Sequence, residues 1–546
     1  MTVIVDQQHI ESVARDTFGY ESLHPGQVEA IASVLAGHDT LAVMPTGAGK
    51  SAIYQIATLL SPGPAVIVSP LIALQRDQRA AIQHEDIGEA AVVNSAERAS
   101  ERRAAWDELD AHRLKYLFLA PEQFSNEDTL AHLKGAGPSL LVVDEAHCIS
   151  AWGHDFRPDY LTLGAVVAAL GHPTVLALTA TASPPVRAEI VERLHLRAPR
   201  LIVQGFNRPN IWLGVERFAD EQGKRQALLD RVEAAEKPGI VYAATHKHAE
   251  EVAAALGARG LRARSYHAGL KAHERDDTQR AFRRDELDVI VATTAFGMGI
   301  DKPNVRFVFH HDISESVDAY YQEIGRAGRD GAPARAILFY RPEDLGLRRF
   351  FAGSGHVDVA AVERVAHAVR DHHQEPVEPA ELRAKTDLSP SQLGTAISRL
   401  EEVGVLDVSA TGAVAATGDR HDAHAVAEAA VQAEERHHLF VHSRIEMMQG
   451  YAEVLDCRRG YLLNYFGEPV HEPCGYCDNC DAGIVVIEDK SAEPFPIDSR
   501  VAHPTWGEGL VVRYEGDKMV VLFDQIGYKT LAVALVVENG LLRPAA

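Results

Sequence analysis

The residues best placed to do chemistry begin with MPTGAGKS at 44–51. An apolar run precedes it and a helix-like run, SAIYQIATLL, follows, which is the context a phosphate-binding loop requires. Thr46, Gly47, Ala48 and Gly49 make the turn. Gly47 and Gly49 allow backbone N–H groups to face phosphate oxygens, and the helix N-terminus adds positive potential. Lys50 would reach the β- and γ-phosphates and Ser51 would bind Mg²⁺. Met44 stands where the general pattern has its first glycine. The bland alternative is a chance glycine-rich turn, and the next motif argues against it. In LLVVDEAHCIS, four apolar residues bury a strand and Asp144 emerges at its C-terminal end, where α/β ligands bind. Asp144 would hold Mg²⁺, Glu145 would orient and deprotonate an attacking water, and His147 would couple hydrolysis to neighbouring contacts. An acidic pair after a strand is usually a solvated loop. Paired with a phosphate loop about a hundred residues earlier, it completes a nucleotide hydrolase.

A third group follows in YYQEIGRAGRDG at 320–331. Gln322, Arg326 and Arg329 are spaced by four and three, so a helical turn would present them on one side. Arginines facing a γ-phosphate stabilise transition-state charge. An arginine-rich solvated helix is the alternative; the flanking glycines and TTAFGMGIDKPNV at 293–305 argue against it. The fourth group is Cys457, Cys474, Cys477 and Cys480, spaced Cys-x16-Cys-x2-Cys-x2-Cys. Four thiolates suit a closed tetrahedral structural Zn²⁺ site with no open position for catalysis. Cys148 stands alone, so the cysteines suggest a reducing compartment and metal rather than disulfides.

These groups need a scaffold. A chain of 546 residues exceeds one hydrophobic core, so several domains are expected. Residues 37–345 alternate short apolar runs with helical patterns, the signature of parallel sheets flanked by helices. Buried strands are expected at Thr40–Met44, Ala65–Val68, Tyr116–Leu119, Leu140–Val143 and Thr174–Leu178. A second series is expected at Gly239–Tyr242, Arg262–Tyr266, Val289–Ala292, Val305–His310 and Ala336–Phe339. The two series join near Gly205–Asn210. Beyond them, helices at Val357–Arg370 and Pro379–Lys385, a third from Ser389-Pro390 and the hairpin-like VLDVSATGAVAAT have the layout of a winged helix. A helical spacer is the alternative. Leu393, Ala396, Ile397, Leu400 and Val403 share one face of the third helix. Gln392, Thr395 and Arg399 would point outward, able to touch DNA, though Glu401 and Glu402 would repel it. The last fifty residues alternate around glycines and suggest a small bent β-barrel. No apolar run is long enough to span a bilayer and the start lacks a secretory pattern, so no membrane and a cytoplasmic location are expected. The net charge of −23 argues mildly against nucleic acid, but phosphate binding depends on local Lys/Arg placement.

Over roughly 18–345 and 445–480 the chain resembles RecQ helicases of superfamily two. FGYESLHPGQ is similar to the family's adenine-reading motif, implying that Gln27 pairs with the adenine edge and Tyr20 packs on the ring. His24 stands where an arginine is usual and could stack on the base. SPLIALQRDQ, APEQ and ALTATA are similar to DNA-contacting and coupling motifs. HCISAWGHDFRPDY resembles the aromatic-rich loop, in which Trp152 and Phe156 would stack on bases and Arg157 would engage a phosphate or base plane. The LLNYFGE segment marks the zinc subdomain.

The resemblance implies an α/β fold with RecA-like domains at 1–204 and 205–345. It implies ATP, Mg²⁺ and Zn²⁺ as cofactors, and 3′→5′ unwinding with single-stranded and tailed duplex DNA as partners. A winged-helix-like insertion would occupy 346–418, the zinc subdomain 419–486, a linker 487–498 and the small barrel 499–546. This order departs from the family, in which the zinc module follows the motor closely and a winged helix comes after it. Here about 125 residues separate Arg329 from Cys457. The tail resembles the Tudor-like domain of UvrD/PcrA helicases rather than an HRDC domain, implying a short variant branch and a protein partner, RNA polymerase or a repair factor. The alternatives are an RNA helicase or remodeller, and an ATP-gated scaffold in DNA repair or transcription.

Overall fold

The structure is a computed structural model that describes residues 7–84, 87–150, 157–297, 302–354, 359–372, 375–417, 423–468, 470, 472–484, 493–497, 499–515 and 517–545. These residues form two compact units, Met1–Gln204 with His356–His437, and Gly205–Gly355 with His438–Ala546. The boundary falls inside one helix, Ala423–Glu453. No helix among the described residues is long and apolar enough to cross a membrane.

The first unit is built on seven parallel strands: β1 (Thr40–Val43), β2 (Ala65–Val68), β3 (Ala90–Val93), β4 (Tyr116–Leu119), β5 (Leu140–Val143), β6 (Thr174–Thr179) and β7 (Arg200–Val203). They pair in the order β3-β4-β2-β5-β6-β1-β7. β1, β2, β4 and β5 are buried at every position, because helices cover both faces of a parallel sheet. That is why unbroken apolar runs, rather than alternation, betrayed them. Strands β3 and β7 were not expected. Both are edge strands, and β7 exposes Arg200 and Leu201, so two-sided burial left no pattern there. The order also has a functional consequence. β6 lies between β5 and β1, and Val43 is in register with Thr179, so three strand ends that carry motifs emerge side by side.

The same unit holds helices Val359–Arg370, Pro379–Thr386 and Pro390–Glu402 with the antiparallel pair Leu406–Val408 and Val414–Ala416. The third helix begins with a capping box. Ser389 Oγ accepts from Gln392 N at 3.3 Å, and Gln392 Oε1 accepts from Ser389 N at 3.1 Å. Leu393, Ala396, Ile397 and Leu400 enter a common core with Val365, Leu382 and Val414. The expected outward presentation of Arg399 is overturned. It is 2% exposed and pairs with Glu434 at 3.0 Å and Glu402 at 3.3 Å, because helix Ala423–Glu453 covers that face.

The second unit carries six parallel strands: β8 (Ile211–Arg217), β9 (Gly239–Tyr242), β10 (Ala263–Tyr266), β11 (Val289–Ala292), β12 (Phe307–His310) and β13 (Ala334–Tyr340), in the order β10-β11-β9-β12-β13-β8. β8 lies at the sheet edge, just after the junction expected near Gly205–Asn210, and was not among the expected strands. Two short helices, Arg458–Tyr465 capped by Cys457 and Asp478–Asp481 capped by Cys477, pack along β8. Trp212 Nε1 donates to Asp481 Oδ2 at 2.9 Å and Val215 N to Asp478 Oδ2 at 2.9 Å.

The C-terminal strands Arg500–His503, Gly507–Glu515, Lys518–Phe523, Gly527–Ala532 and Arg543–Pro544 form an antiparallel sheet with a bulge between Val511 and Arg513. It is seated on the cysteine-bearing region. The buried Arg513 guanidinium lies 3.6 Å above the Tyr461 ring, and Tyr528 packs against Tyr465 and Phe440.

Candidate functional site

Helix Lys50–Leu60 starts at the phosphate loop, with Gly47 at φ 86° and Gly49 at φ 66°. Side chains with a Cβ rarely adopt that conformation, so the loop can turn only with glycine at both points. Lys50 Nζ folds back onto the carbonyls of Met44 at 3.1 Å and Pro45 at 3.4 Å, placing its charge inside the loop. Gln27, 4% exposed, donates through Nε2 to the carbonyls of Ala48 and Gly49, both at 2.9 Å. Its Oε1 accepts from His24 N at 2.8 Å. The structure thus brings Gln27 against the phosphate loop itself, while His24 is exposed and meets Gln27 through its backbone. Tyr20 stacks on Phe18, with ring centroids 6.0 Å apart.

At the end of β5, Asp144 accepts from Glu145 N at 3.0 Å, and Ser69 Oγ lies 3.5 Å from its other oxygen. Burial pushes the Asp144 carboxyl up to about 7, aided by the Glu145 charge and opposed by the Lys50 ammonium. Taking two adjacent carboxylates out of water is costly, so the site favours a cation between them and the phosphate loop. Glu145 adopts φ 50°, a left-handed conformation that turns its side chain away from the strand direction. His147, fully buried, bonds through Nδ1 to Thr179 Oγ1 at 2.9 Å and lies 3.4 Å from Glu145 Oε2. Thr179 Oγ1 donates in turn to the Thr181 carbonyl at 3.1 Å. The DEAH segment and the ALTATA segment are therefore joined through one histidine, as β5-β6 adjacency allows.

Arg157 N donates to the Cys148 carbonyl at 2.9 Å, and its Nη1 lies 3.5 Å from the Pro70 carbonyl, a long contact. Trp152 and Phe156 lie outside the described residues.

The arginine group is arranged differently from its expectation. Helix Val317–Ile324 carries Gln322 but ends at Gly325, so Arg326 and Arg329 sit in the turn beyond it rather than on its side. Gly325 still has helical backbone angles, whereas Gly328 turns left-handed at φ 55° and its N–H donates to the Val305 carbonyl at 2.8 Å. Two residues missed by motif reading hold this turn. Arg208 donates to the carbonyls of Gly325, Ala327 and Gly328 at 3.0, 2.8 and 3.1 Å. Asn210 donates to those of Gly328 at 2.7 Å and Ala332 at 3.0 Å. The signal was FNRPN itself, polar and stiff between two strands, but nothing local reveals its partner more than a hundred residues away.

The four cysteine sulfurs lie within 4.8 Å of one another, and Cys474 Sγ is 3.9 Å from Cys480 Sγ. Four thiolates at ~2.3 Å from a tetrahedral Zn²⁺ would stand about 3.8 Å apart, so the set fits this ion. Backbone N–H groups of Gly460 and Cys474 point at Cys457 Sγ at 3.4 and 3.3 Å. Hydrogen bonds with Cys474 and Cys477 push the Cys457 thiol far up, while Cys457 and Cys477 pull Cys474 far down. One sulfur takes the charge and another keeps the proton, so a fourfold thiolate needs a cation. The neighbouring Arg459, 6% exposed, donates to Asn207 Oδ1 at 3.1 Å, to the Arg208 carbonyl and to the Ile211 carbonyl at 2.7 Å. At the other end of helix Val317–Ile324, Arg444 Nη2 donates to Ser316 Oγ at 2.8 Å and Tyr465 OH to Asp318 Oδ2 at 2.6 Å. The cysteine-bearing region thus braces the start of helix Val317–Ile324 directly and, through Arg208, the arginine turn that follows it.

His248, His311 and Asp312 also gather potential metal ligands. Lys224 Nζ lies 3.5 Å from Asp312 Oδ1 and 2.8 Å from Asp344 Oδ2, so an ammonium already supplies the positive charge there.

Three family models match the chain: DEAD/DEAH box helicase over residues 24–189, helicase conserved C-terminal domain over 223–331, and RecQ zinc-binding over 418–481. A probable ATP-dependent DNA helicase RecS of Bacillus subtilis is 42% identical over 354 residues, covering 65% of this chain and 70% of that protein. The ATP-dependent DNA helicase RecQ of Pasteurella multocida is 34% identical over 469 residues, 86% of this chain and 61% of the relative. Among solved structures, the DUF1998 helicase MrfA bound to DNA superposes with a TM-score of 0.53 at 16% identity, covering 77% of this chain and 64% of the other. That match concerns the fold alone. With both helicase models, the zinc-binding model and a relative 42% identical across most of its own length, the chain belongs to the RecQ family of ATP-dependent DNA helicases.

Proposed function

We propose that the chain couples Mg-ATP hydrolysis to 3′→5′ movement along single-stranded DNA and to the opening of tailed duplexes. The observation that carries this reading is the linkage of Asp144, Glu145, His147 and Thr179 beside the Lys50 loop, at three adjacent strand ends. In it, Lys50 holds the β- and γ-phosphates, and Ser51 and Asp144 hold Mg²⁺. Bound Mg²⁺ neutralises charge that develops on the phosphates. Glu145 orients and takes a proton from the attacking water, with His147 relaying its position to Thr179. Arg326 and Arg329 supply positive charge to the transferred phosphoryl group, and Gln322 supplies a neutral amide donor beside them.

Tyr20, His24 and Gln27 read the adenine. Because Gln27 Nε2 already bonds to the phosphate loop, adenine recognition and loop shape are linked through one amide. Trp152, Phe156 and Arg157 grip the strand. Cys457, Cys474, Cys477 and Cys480 hold a structural Zn²⁺ that stiffens the region bracing the arginine turn. Leu535 and Val537, exposed on the C-terminal β-domain, offer a protein partner an apolar contact.

The test is strand displacement on 3′-tailed and 5′-tailed duplexes, with ATPase measured beside single-stranded DNA and RNA. Unwinding from the 3′ tail with stimulation by DNA is expected. Opening from the 5′ tail overturns the polarity, stimulation by RNA alone overturns the DNA reading, and displacement that survives Lys50→Ala overturns the motor.

A further inference from the structure

Ser150 and Arg157 flank the segment 151–156, and the three-helix module at 359–416 is packed on the motor at the turn that follows Arg157. Helix Pro390–Glu402 lies against the turn Pro158–Tyr160. The approach is so close that a Cβ on Gly394 would fall 2.6 Å from Pro158 Cγ and 2.8 Å from Pro158 Cβ, and a proline ring cannot swing aside. At the end of the same helix, Glu401 Oε2 accepts from Arg193 Nη1 at 2.9 Å. Arg193 Nε donates to Glu189 Oε1 at 2.7 Å, and Glu189 Oε2 accepts from Ser150 Oγ at 2.5 Å. Both ends of the segment are therefore held by one helix: Ser150 through two ionic partners, and Pro158 by direct contact.

Each anchor also reaches the hydrolytic site. Tyr160 OH donates to the Asp144 carbonyl at 3.0 Å, and Ser150 N donates to the His147 carbonyl at 3.1 Å. The seam is not filled along its whole length. A cavity of about 330 Å³, lined by Pro158, Leu161, Leu393, Gly394 and Ile397 among others, lies in it. The seam is thus tight where Gly394 meets Pro158 and where Glu401 meets Arg193, with open volume beside the first of these contacts.

We propose that helix Pro390–Glu402 positions the Ser150 and Pro158 anchors, so that the inserted module sets how strongly single-stranded DNA stimulates ATP hydrolysis; Gly394 and Glu401 are its positioning residues. The inference rests on the DNA-stimulated ATPase assigned above and adds a module to it. Energy reaches the site by a contiguous packed path, from helix to turn to the Asp144 backbone and from Glu401 to Ser150. Leu393, Ala396, Ile397 and Leu400 tie the helix into the module's core, so the helix acts with the whole module rather than apart from it.

The experiment compares Gly394→Ala, Glu401→Gln and, as control, Glu402→Gln in the full chain. Glu402 pairs with Arg399 and Arg436 inside the module and does not touch the motor seam. Basal ATPase, DNA-stimulated ATPase and the DNA concentration at half stimulation are measured, together with the thermal midpoint. Gly394→Ala and Glu401→Gln are expected to lower maximal stimulation by about fivefold or more, the lower end of ordinary coupling between sites. Basal turnover and the Glu402→Gln control stay near wild type. Stimulation unchanged in both seam variants overturns the proposal, as does an equal loss in Glu402→Gln, which would mark general destabilisation. A wild-type chain that ignores single-stranded DNA fails at the earlier functional reading and takes this one with it.

Discussion

Replacing Arg459 by methionine probes the link between the cysteine region and the arginine turn. Methionine keeps the length of the aliphatic stem and removes every donor. Arg459 is buried, and its loss leaves Asn207 Oδ1 and the carbonyls of Arg208 and Ile211 without their donor. Two buried carbonyls each losing a donor cost about 1–3 kcal/mol apiece. Removing the buried guanidinium returns part of that, since its own desolvation disappears. The net loss is about 3 kcal/mol, which shifts the urea midpoint of the second unit down by roughly 1 M for an m of about 3 kcal/mol/M.

The second consequence is catalytic. Arg459 fixes the backbone of Arg208, and Arg208 in turn ties the carbonyls of Gly325, Ala327 and Gly328. Misplacing charge-stabilising groups by about 1 Å can cost on the order of a hundredfold in rate. Turnover at saturating ATP is expected to fall at least about tenfold. The assay pairs urea unfolding, followed by fluorescence of Trp212 on the adjoining strand, with steady-state ATPase on the folded protein. An unchanged midpoint refutes the burial energetics. A lowered midpoint with full turnover refutes the chain of positioning from Arg459 to the arginine turn.

Cys477 is fully buried and its sulfur belongs to the four-cysteine set; Cys477→Ser should lose bound zinc by elemental analysis and several kcal/mol of stability, and a soluble, zinc-free variant with normal unwinding would count against a structural ion. The pH profile of the second unit offers a separate check. Burial lowers the His311 pKa, but Asp312 and Glu221 together raise it above the ordinary histidine value. His311 Nδ1 lies 3.0 Å from Asp312 Oδ1 outside good hydrogen-bond angles, so that attraction is chiefly electrostatic. A raised histidine stabilises fully below its unfolded value of about 6.5 and loses that contribution as pH climbs through the folded value. Stability of wild type relative to His311→Gln should therefore decline from about pH 6.5 upward, and a pH-independent difference in urea midpoints would refute it.

The candidate site was legible where its chemistry is contiguous. A phosphate loop needs glycines, a lysine and a helix start within eight residues, and a four-thiolate site announces itself by cysteine spacing. Gln322 could be placed on a helix, but the end of that helix could not. It ends at Gly325, and the turn that follows is held by Arg208 and Asn210 from another part of the chain. Buried central strands could be found because two covered faces demand unbroken apolar runs. Strands β3, β7 and β8 were not found; all three lie at sheet edges, and β7 exposes Arg200 and Leu201, although the edge strand β10 was expected.

By itself, then, the sequence determined the chemical inventory: which loop has the phosphate-binding pattern, which carboxylates follow a buried strand, and which four cysteines stand at metal-ligand spacing. These are set by short spacings along a covalent chain, within which few conformations are open. The tertiary structure decided adjacency. It put β6 between β5 and β1, so that His147 meets Thr179. It buried Arg399 under a later helix, gave Arg459 and Arg208 their carbonyl partners, and laid Gly394 on Pro158. Such pairings join residues dozens to hundreds of positions apart, and they are chosen by the packing of whole elements rather than by any local pattern.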